Sequence, residues 1–249
     1  MLLREERLEL ILKELNKNKK VYVNELSKNF NLSSETIRKD LNQLDSMGLL
    51  VKTHGGAIAK QNAIELTYDI REKENIEFKM SLAKYAARMI PPESSIIIGS
   101  GSTMVELSKL LTSMSGLKIF TSSIPVATIL MNSDNQVSIF GGLIRSKSSS
   151  VSGGWAINNL QQINADISFI GSDGFNNTKG PSSPSFSDTF IGQTILKQSE
   201  KRVVLADYTK FHRKSLHKLC DWNKIDYLIT NKNVDKKLID YIDTEIILV

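Results

Sequence analysis

Cysteine is almost missing from this sequence: Cys220 stands alone among 249 residues. An intramolecular disulfide is therefore excluded, and so is a zinc site built on cysteines. Cys220 lies in a mixed apolar and polar stretch before Trp222, which suits a packed thiol better than a nucleophile. Long apolar runs are missing too. Met1-Leu2-Leu3 turns at once to Arg4-Glu5-Glu6, without the apolar stretch of a signal peptide, and no run approaches the length of a membrane span. No membrane partner and a cytoplasmic location are the expectation. No internal repeat is found. The excess of one charge sign is small: 32 Lys and Arg against 27 Asp and Glu leave a net charge of +5. That balance permits a nucleic-acid partner without requiring one. No metal and no cofactor are expected.

What is present is ordinary for a globular chain, with 41% hydrophobic and 24% charged residues, and long enough to bury a sizeable core. Leu8, Ile11, Leu12 and Leu15 are spaced as one apolar face of a helix over residues 3–15. Val21 and Val23 read as a short strand. Asn24 is placed to cap a short helix through Phe30, and Asn31-Leu32 to form a turn. Ser33 is placed to cap a further helix that turns Ile37, Leu41 and Leu44 inward and ends at Gly48. Residues 49–52 and 57–59 read as a two-stranded ribbon around His54-Gly55-Gly56.

A short helix, a tight turn and a second helix make a helix-turn-helix, whose second helix enters the major groove. The residues aimed outward from its start are Ser33, Ser34, Glu35, Thr36, Arg38 and Lys39. Arginine grips guanine edges with two bonds, and serine or threonine binds a base or a phosphate. Lys39, Lys52 and His54 are placed to meet backbone phosphate. Glu35 reads more simply as an acid at a helix start. The same small helices also suit a protein–protein adaptor. Residues 1–59 are assigned to this winged helix-turn-helix, and the polar stretch 60–77 to a linker.

From residue 78 to 249 the pattern changes. A helix over 78–89 stops at Pro91-Pro92. Apolar runs at 95–98, 117–121, 136–140, 166–171, 202–206, 226–230 and 245–249 then alternate with helical stretches at 103–114, 124–131 and 236–242. This alternation predicts an α/β domain with a mostly parallel sheet. Ser146–Ser152 reads as a serine-rich loop. Gly99-Ser100-Gly101-Ser102-Thr103 follows a strand and precedes a helix, where free N–H groups and hydroxyls suit an anion. No Gly-Lys-Ser/Thr follows, so it is not a nucleotide P-loop, and a plain capped turn fits it equally. Gly141-Gly142 and Gly171–Gly174 also come directly after strands, where ligands of open α/β sheets gather. Lys210 follows another strand, as either a phosphate partner or a solvated lysine.

Glu25-Leu26-Ser27, Ser33 through Leu41, Leu44-Asp45-Ser46-Met47-Gly48 and Thr53-His54-Gly55-Gly56-Ala57 closely resemble the signature of the DeoR family of bacterial transcription regulators. Lys39 stands where that family usually has a second arginine. The resemblance continues through Arg71, Lys79, Gly101-Ser102-Thr103, Thr121-Ser122-Ser123, Gly141-Gly142, Gly171-Ser172-Asp173-Gly174, Asp188 and Ala206 through Phe211. It implies a C-terminal fold of the ribose-phosphate isomerase and CoA-transferase group. It further implies a non-enzymatic repressor of a sugar-utilisation operon, a homodimer or homotetramer that binds double-stranded operator DNA. A small phosphorylated metabolite would be its effector, held by residues 99–103, Thr121, Ser122, Gly141, Gly142, Gly171, Asp173, Gly174, Asp188 and Lys210. Two departures stand out. Gly99 replaces a usual aspartate and Gly192 a usual lysine, removing a carboxylate and a cation. The rival reading is a sugar-phosphate isomerase or CoA-transferase-like enzyme, with Asp173, Asp188, Asp207 and His212 as acid–base groups. Such an enzyme has no need of the first sixty residues.

Overall fold

The computed structural model describes residues 4–46, 50–58, 66–175 and 178–249, and divides into two compact units, 1–65 and 66–249. The expected helix start at Leu3, helix end at Gly48, strand residues Leu49 and Ala59 and linker residues 60–65 lie outside the described residues.

The first unit is built from α1 (Arg4–Asn18), β1 (Lys20–Tyr22), α2 (Val23–Phe30), α3 (Ser34–Ser46), β2 (Val51–Thr53) and β3 (Gly56–Ile58). Its ribbon has three strands, because β1 joins β3 on the side away from β2. β3 approaches so closely that a Cβ on Gly56 would lie 1.9 Å from the Val21 carbonyl oxygen, so only glycine fits. Val23 is not a strand residue; it opens α2 and turns into the core. Asn24 does not cap that helix either. Tyr22 holds the cap position without a side-chain bond, because the backbone arrives directly from β1. Ile11, Leu15, Leu26, Ile37, Leu41 and Leu44 are fully buried, the apolar faces read from their spacing.

One buried ion pair fastens this small core. Arg7 of α1 reaches Asp40 of α3 with two bonds, Nε to Oδ2 at 2.5 Å and Nη2 to Oδ1 at 2.9 Å. The hydrogen bond to Asp40 raises the Arg7 pKa further above its ordinary value. The fork geometry satisfies both carboxylate oxygens, which a single point charge would not.

The second unit begins at Leu66, earlier than the polar stretch suggested. α4 (Tyr68–Lys73) is part of it: Tyr68 is buried among Leu82, Ala83 and Met104. α5 (Ile76–Arg88) follows, then β4 (Ser95–Ile98), α6 (Ser102–Leu111), β5 (Lys118–Thr121), α7 (Ile124–Leu130) and β6 (Gln136–Ile139). A hairpin of β7 (Leu143–Arg145) and β8 (Ser150–Ser152) leads to α8 (Gly154–Leu160), β9 (Ala165–Gly171) and β10 (Ser182–Ser183). The chain finishes with α9 (Phe186–Lys197), β11 (Ser199–Leu205), β12 (His217–Lys218), β13 (Tyr227–Thr230) and β14 (Glu245–Leu248). Seven strands form one parallel sheet in the order β14-β13-β11-β9-β4-β5-β6. Alternate strand residues face opposite layers. Ile96, Ile98, Phe169 and Val203 pack under α5 and α6, while Ile97, Ile170 and Val204 pack under α8 and α9. Both faces are covered, as a parallel sheet requires.

Two expectations fail here. The stretch 236–242 keeps only a single 3₁₀ turn at Lys236–Leu238, closed by i→i+3 bonds and by Asp235 accepting from the Lys237 amide at 3.0 Å. Ser146–Ser152 is a loop only in part: Ser146–Ser148 form a 3₁₀ turn and Ser150–Ser152 are the strand β8. Ser148, Ser150 and Ser152 are buried, and the first two bond each other at 2.8 Å.

Removing one partner of the Arg7–Asp40 pair strands the other charge. Asp40→Ala should cost the first unit about 3 kcal/mol, at the low end for a buried pair because the unit is small. Calorimetric scans should show its unfolding step moved down while the step of the second unit stays in place.

Candidate functional site

In the first unit, Ser33 caps α3: its Oγ accepts from the Thr36 amide at 3.1 Å and lies 2.8 Å from the Thr36 hydroxyl. Both hydroxyls thus brace the helix start, and Ser34 is half-buried beside them. With Ile37, Leu41 and Leu44 turned inward, α3 presents Glu35, Arg38, Lys39 and Asn42 to solvent. Arg38 comes together with the wing. Arg38, Lys52, Thr53 and His54 line one cleft of about 360 Å3 with Val23 and Gly56. Lys39 is not in that lining and pairs instead with Glu35, one helical turn away at 3.2 Å. Asn42 has no part in the pattern read from the sequence, and Asp45 appears there only within the family signature. Asn42 accepts from the Lys52 ammonium at 2.5 Å, and Asp45 from the Lys52 amide at 3.3 Å, so α3 and the wing are tied side by side. A cationic cleft between a solvent-facing helix and a ribbon suits the phosphate backbone and the base edges of a duplex.

In the second unit, the sheet order reverses between β4 and β9. The chain runs outward from β4 through β5 and β6, and from β9 through β11, β13 and β14. The pairing aligns the strand ends: Ile98 lies opposite Thr121 and Phe169, and Leu205 opposite Gly171 and Ile229. Residues 99–103, Ser122, 171–174 and 206–210 therefore leave the same edge, at the crevice where α/β sheets receive ligands. Gly101, with φ of 122°, stands at the cap position of α6 and offers no side chain, so the first N–H groups of that helix face outward uncapped.

A cluster of charge flanks these loops. Arg71 Nη1 lies 3.7 Å from Asp173 Oδ1. Lys79 is buried and donates to the carbonyl oxygens of Arg71 and Glu74. Burial, and then the charge of Lys210, lower its pKa to about 8, with Asp207 and Glu74 pulling the other way. Arg71, Lys79 and Lys210 thus converge beside Asp173 and Asp207. The signal for Lys79 was there to be read: it sits at helical spacing with Leu82, Ala83 and Ala86, a lysine within an apolar stripe.

Other expected site residues are spent on structure. Thr121 is fully buried and donates to the Ile98 carbonyl at 2.7 Å, while its Oγ1 accepts from the Ser123 amide. Gly142 and Gly174 let backbones close up, since a Cβ would lie 2.5 Å from Ser152 O and 2.4 Å from Arg213 O. Gly141 is exposed at the end of β6. Asp188 pairs with Arg145 at 2.9 Å. Ser122 Oγ, by contrast, is buried without a hydrogen-bond partner, a group that a ligand hydroxyl or phosphate could satisfy. Cys220 is a packed thiol, which burial pushes up to about 11. A cavity of about 410 Å3 at the opposite edge of the sheet offers Lys201 among Glu93, Asp166 and Glu200, a poor match for an anion. Among the described residues there is no group of three or more metal-ligating side chains, and no helix is long and apolar enough to cross a membrane.

Two family descriptions match the chain, the DeoR-like helix-turn-helix domain over residues 7–63 and the DeoR C terminal sensor domain over 74–232. A putative aga operon transcriptional repressor of Escherichia coli O157:H7 is 30% identical over 92% of this chain and 87% of its own length. The HTH-type transcriptional regulator GolR of Listeria innocua is 32% identical, over 94% and 92%. The glycerol-3-phosphate regulon repressor of Escherichia coli K12 is 26% identical, over 85% and 84%. Among solved structures, ribose 5-phosphate isomerase A of Methanocaldococcus jannaschii aligns over 55% of each chain with 17% identity and a TM-score of 0.41, too slight a likeness to support a conclusion.

The Lys79 shift has a measurable sign. Between pH 8 and 10.5 the unfolded chain still holds a proton that folded Lys79 has released, so stability rises with pH across that window. The rise should amount to about 3 kcal/mol when complete. Urea unfolding of the second unit at pH 7.5 and pH 10 should show it in the wild type, and Lys79→Met should lack it.

Proposed function

This chain belongs to the DeoR family of transcription regulators, and from that premise we propose that it is a repressor of a sugar-utilisation operon, released by a phosphorylated sugar or related metabolite. It regulates transcription and is not an enzyme; the isomerase or CoA-transferase alternative is not favoured. The observation that carries the DNA-binding half is the cleft joining Arg38 of α3 to Lys52 and His54 of the wing. Arg38 reads a base edge, with Ser34 and Thr36 at the helix start. Lys39, Lys52 and His54 hold phosphates. One helix-turn-helix reads one half-site, so the working form is at least a dimer, acting in the cytoplasm on double-stranded operator DNA. The effector's phosphate sits at the uncapped start of α6, over Gly101, Ser102 and Thr103. The positive end of the helix meets it there, and Lys210 assists. The depressed pKa of buried Lys79, which lies close to the charges of Lys210 and Arg71, supports an anionic ligand.

An operator selected by the wild-type protein from a random duplex pool makes the reading testable. Arg38→Ala should weaken that operator by about 1–3 kcal/mol and relax the base preference at one position. Lys52→Ala should weaken operator and random DNA alike, with the salt slope reduced by about 1. Unchanged selectivity for Arg38→Ala, with the fold intact, would remove Arg38 from the reading helix.

Calorimetry with a panel of sugar phosphates checks the effector half. Thr103→Val and Lys210→Ala should each weaken the best ligand tens-fold, the worth of one charge-assisted bond at about 1.5–3 kcal/mol. Affinity for the operator without effector should not change. Equal binding by wild type and both variants would place the phosphate elsewhere.

A further inference from the structure

We propose that Asn42 is a positioning residue for DNA binding: it holds the Lys52 ammonium beside Arg38 without cancelling its charge. This rests on the reading of the cleft between α3 and the wing given above, and it assigns how the second cation of that cleft is kept in place. Arg38, Asn42 and Asp45 are spaced four and three residues apart, so they form one stripe along α3. Lys52 is on β2, an edge strand of the ribbon, and it is bound to that stripe at both ends. Its amide donates to Asp45 Oδ1 at 3.3 Å, and its ammonium donates to Asn42 Oδ1 at 2.5 Å. The side chain therefore runs along the helix from Asp45 toward Arg38, with which it lines one cleft.

Two cations in one cleft repel each other, and a lysine left to itself samples many rotamers in water. The chemistry of whatever holds the ammonium decides what the lysine can still do. A carboxylate would hold it and cancel it. Lys39 shows that arrangement on the same helix, with Glu35 at 3.2 Å. An amide oxygen accepts a charge-assisted bond and leaves the net charge intact. Asp45, the carboxylate that Lys52 does meet, is bonded to its backbone amide instead. The charge of Lys52 thus stays available to a phosphate, and its potential adds to that of Arg38 within one cleft. Asn42 and Lys52 are both exposed, so their bond adds little to folding; what it does is set the direction of one ammonium. Asparagine also grips adenine edges with two bonds, but that uses the amide oxygen, which Lys52 already takes.

The full chain is titrated with the selected operator and with random duplex across a salt series. Asn42→Ala frees the ammonium but keeps its charge. Both duplexes should bind a few-fold more weakly, with the salt slope and the base preference unchanged. Asn42→Asp keeps the size and turns the bond into an ion pair. Both duplexes should weaken further, and the slope should fall by about 1, as for Lys52→Ala. In a Lys52→Ala background each substitution at 42 should lose most of its effect, which a general loosening of helix or wing would not do. Equal effects in both backgrounds overturn the positioning role. So does an unchanged slope for Asn42→Asp. A base preference relaxed at one position by Asn42→Ala overturns it too, since Asn42 would then read a base. If Lys52→Ala itself leaves random-duplex binding and slope unchanged, the phosphate contact at Lys52 is overturned and this proposal with it, while base recognition by Arg38 keeps its own test.

Discussion

An ammonium group taken out of water costs several kcal/mol unless acceptors take up its protons. Lys79 is such a group, and much of the ligand edge depends on how the fold meets that cost. Its protons go to the carbonyls of Arg71 and Glu74, the last turn and end of α4. That bond fixes α4 against α5 at the tight corner where Asn75 takes a positive φ. With α4 fixed, Arg71 is held toward Asp173 at the end of β9. The lysine remains incompletely compensated, since burial, then Lys210 and least of all Arg71 depress its pKa. A fold that keeps such a charge sheltered near Lys210 and Arg71 is electrostatically prepared for an anion, and would be relieved by one.

The first unit solves a related problem with a different balance. Arg7 and Asp40 are both sheltered, but they satisfy each other in a fork, so the pair serves position more than net stability. It locks α1 to the inner side of α3, and the capping by Ser33 and Thr36 fixes where α3 begins. Lys52 bound to Asn42 and Asp45 then sets the wing beside the helix. Arg38 is left facing outward from a rigid frame, which an arginine needs if its fork is to meet a base edge at low entropic cost.

Much of this was legible beforehand, for identifiable reasons. The buried strands announced themselves as short apolar runs because both faces of the sheet are covered. Leu15, Leu41 and their neighbours kept strict helical spacing. What stayed hidden has reasons too. α9 mixes exposed Phe186 and Phe190 with a buried glycine, so its apolar face has no clean period. α8 opens on two glycines, a poor helix signal. The serine-rich stretch read as a loop because serine favours turns, but Ser150–Ser152 form a strand and the buried Ser148 and Ser150 hydroxyls bond each other. The regular spacing at 236–242 was real, with Ile242 buried, yet seven residues without a packed stripe do not sustain an α-helix. Of the ligand-site residues, spacing could find the loops after strands. It could not show that Thr121 is spent on a backbone carbonyl, because that bond joins residues 23 apart in sequence.

The two glycines that depart from the family pattern are explained by their neighbours. A Cβ on Gly192 would lie 2.5 Å from Leu219 Cδ2, so the space a lysine would need is filled by a leucine from the strand-end region near β12. A Cβ on Gly99 would lie 3.3 Å from Ile170 Cγ2, a contact that a slight shift of that side chain relieves, and 3.4 Å from the Phe169 carbonyl oxygen, an ordinary contact. Neither position is an empty hole left by a lost polar group. At each the nearest neighbour is an apolar side chain, and Ile170 and Leu219 belong to one core cluster. The charged groups at this edge are of both signs, Arg71, Lys79 and Lys210 with Asp173, Asp207 and Glu74, beside hydroxyls such as the unsatisfied Ser122. With no carboxylate at 99, the carboxylates left at this edge are Asp173, beside Arg71, and Asp207, whose charge acts on Lys79.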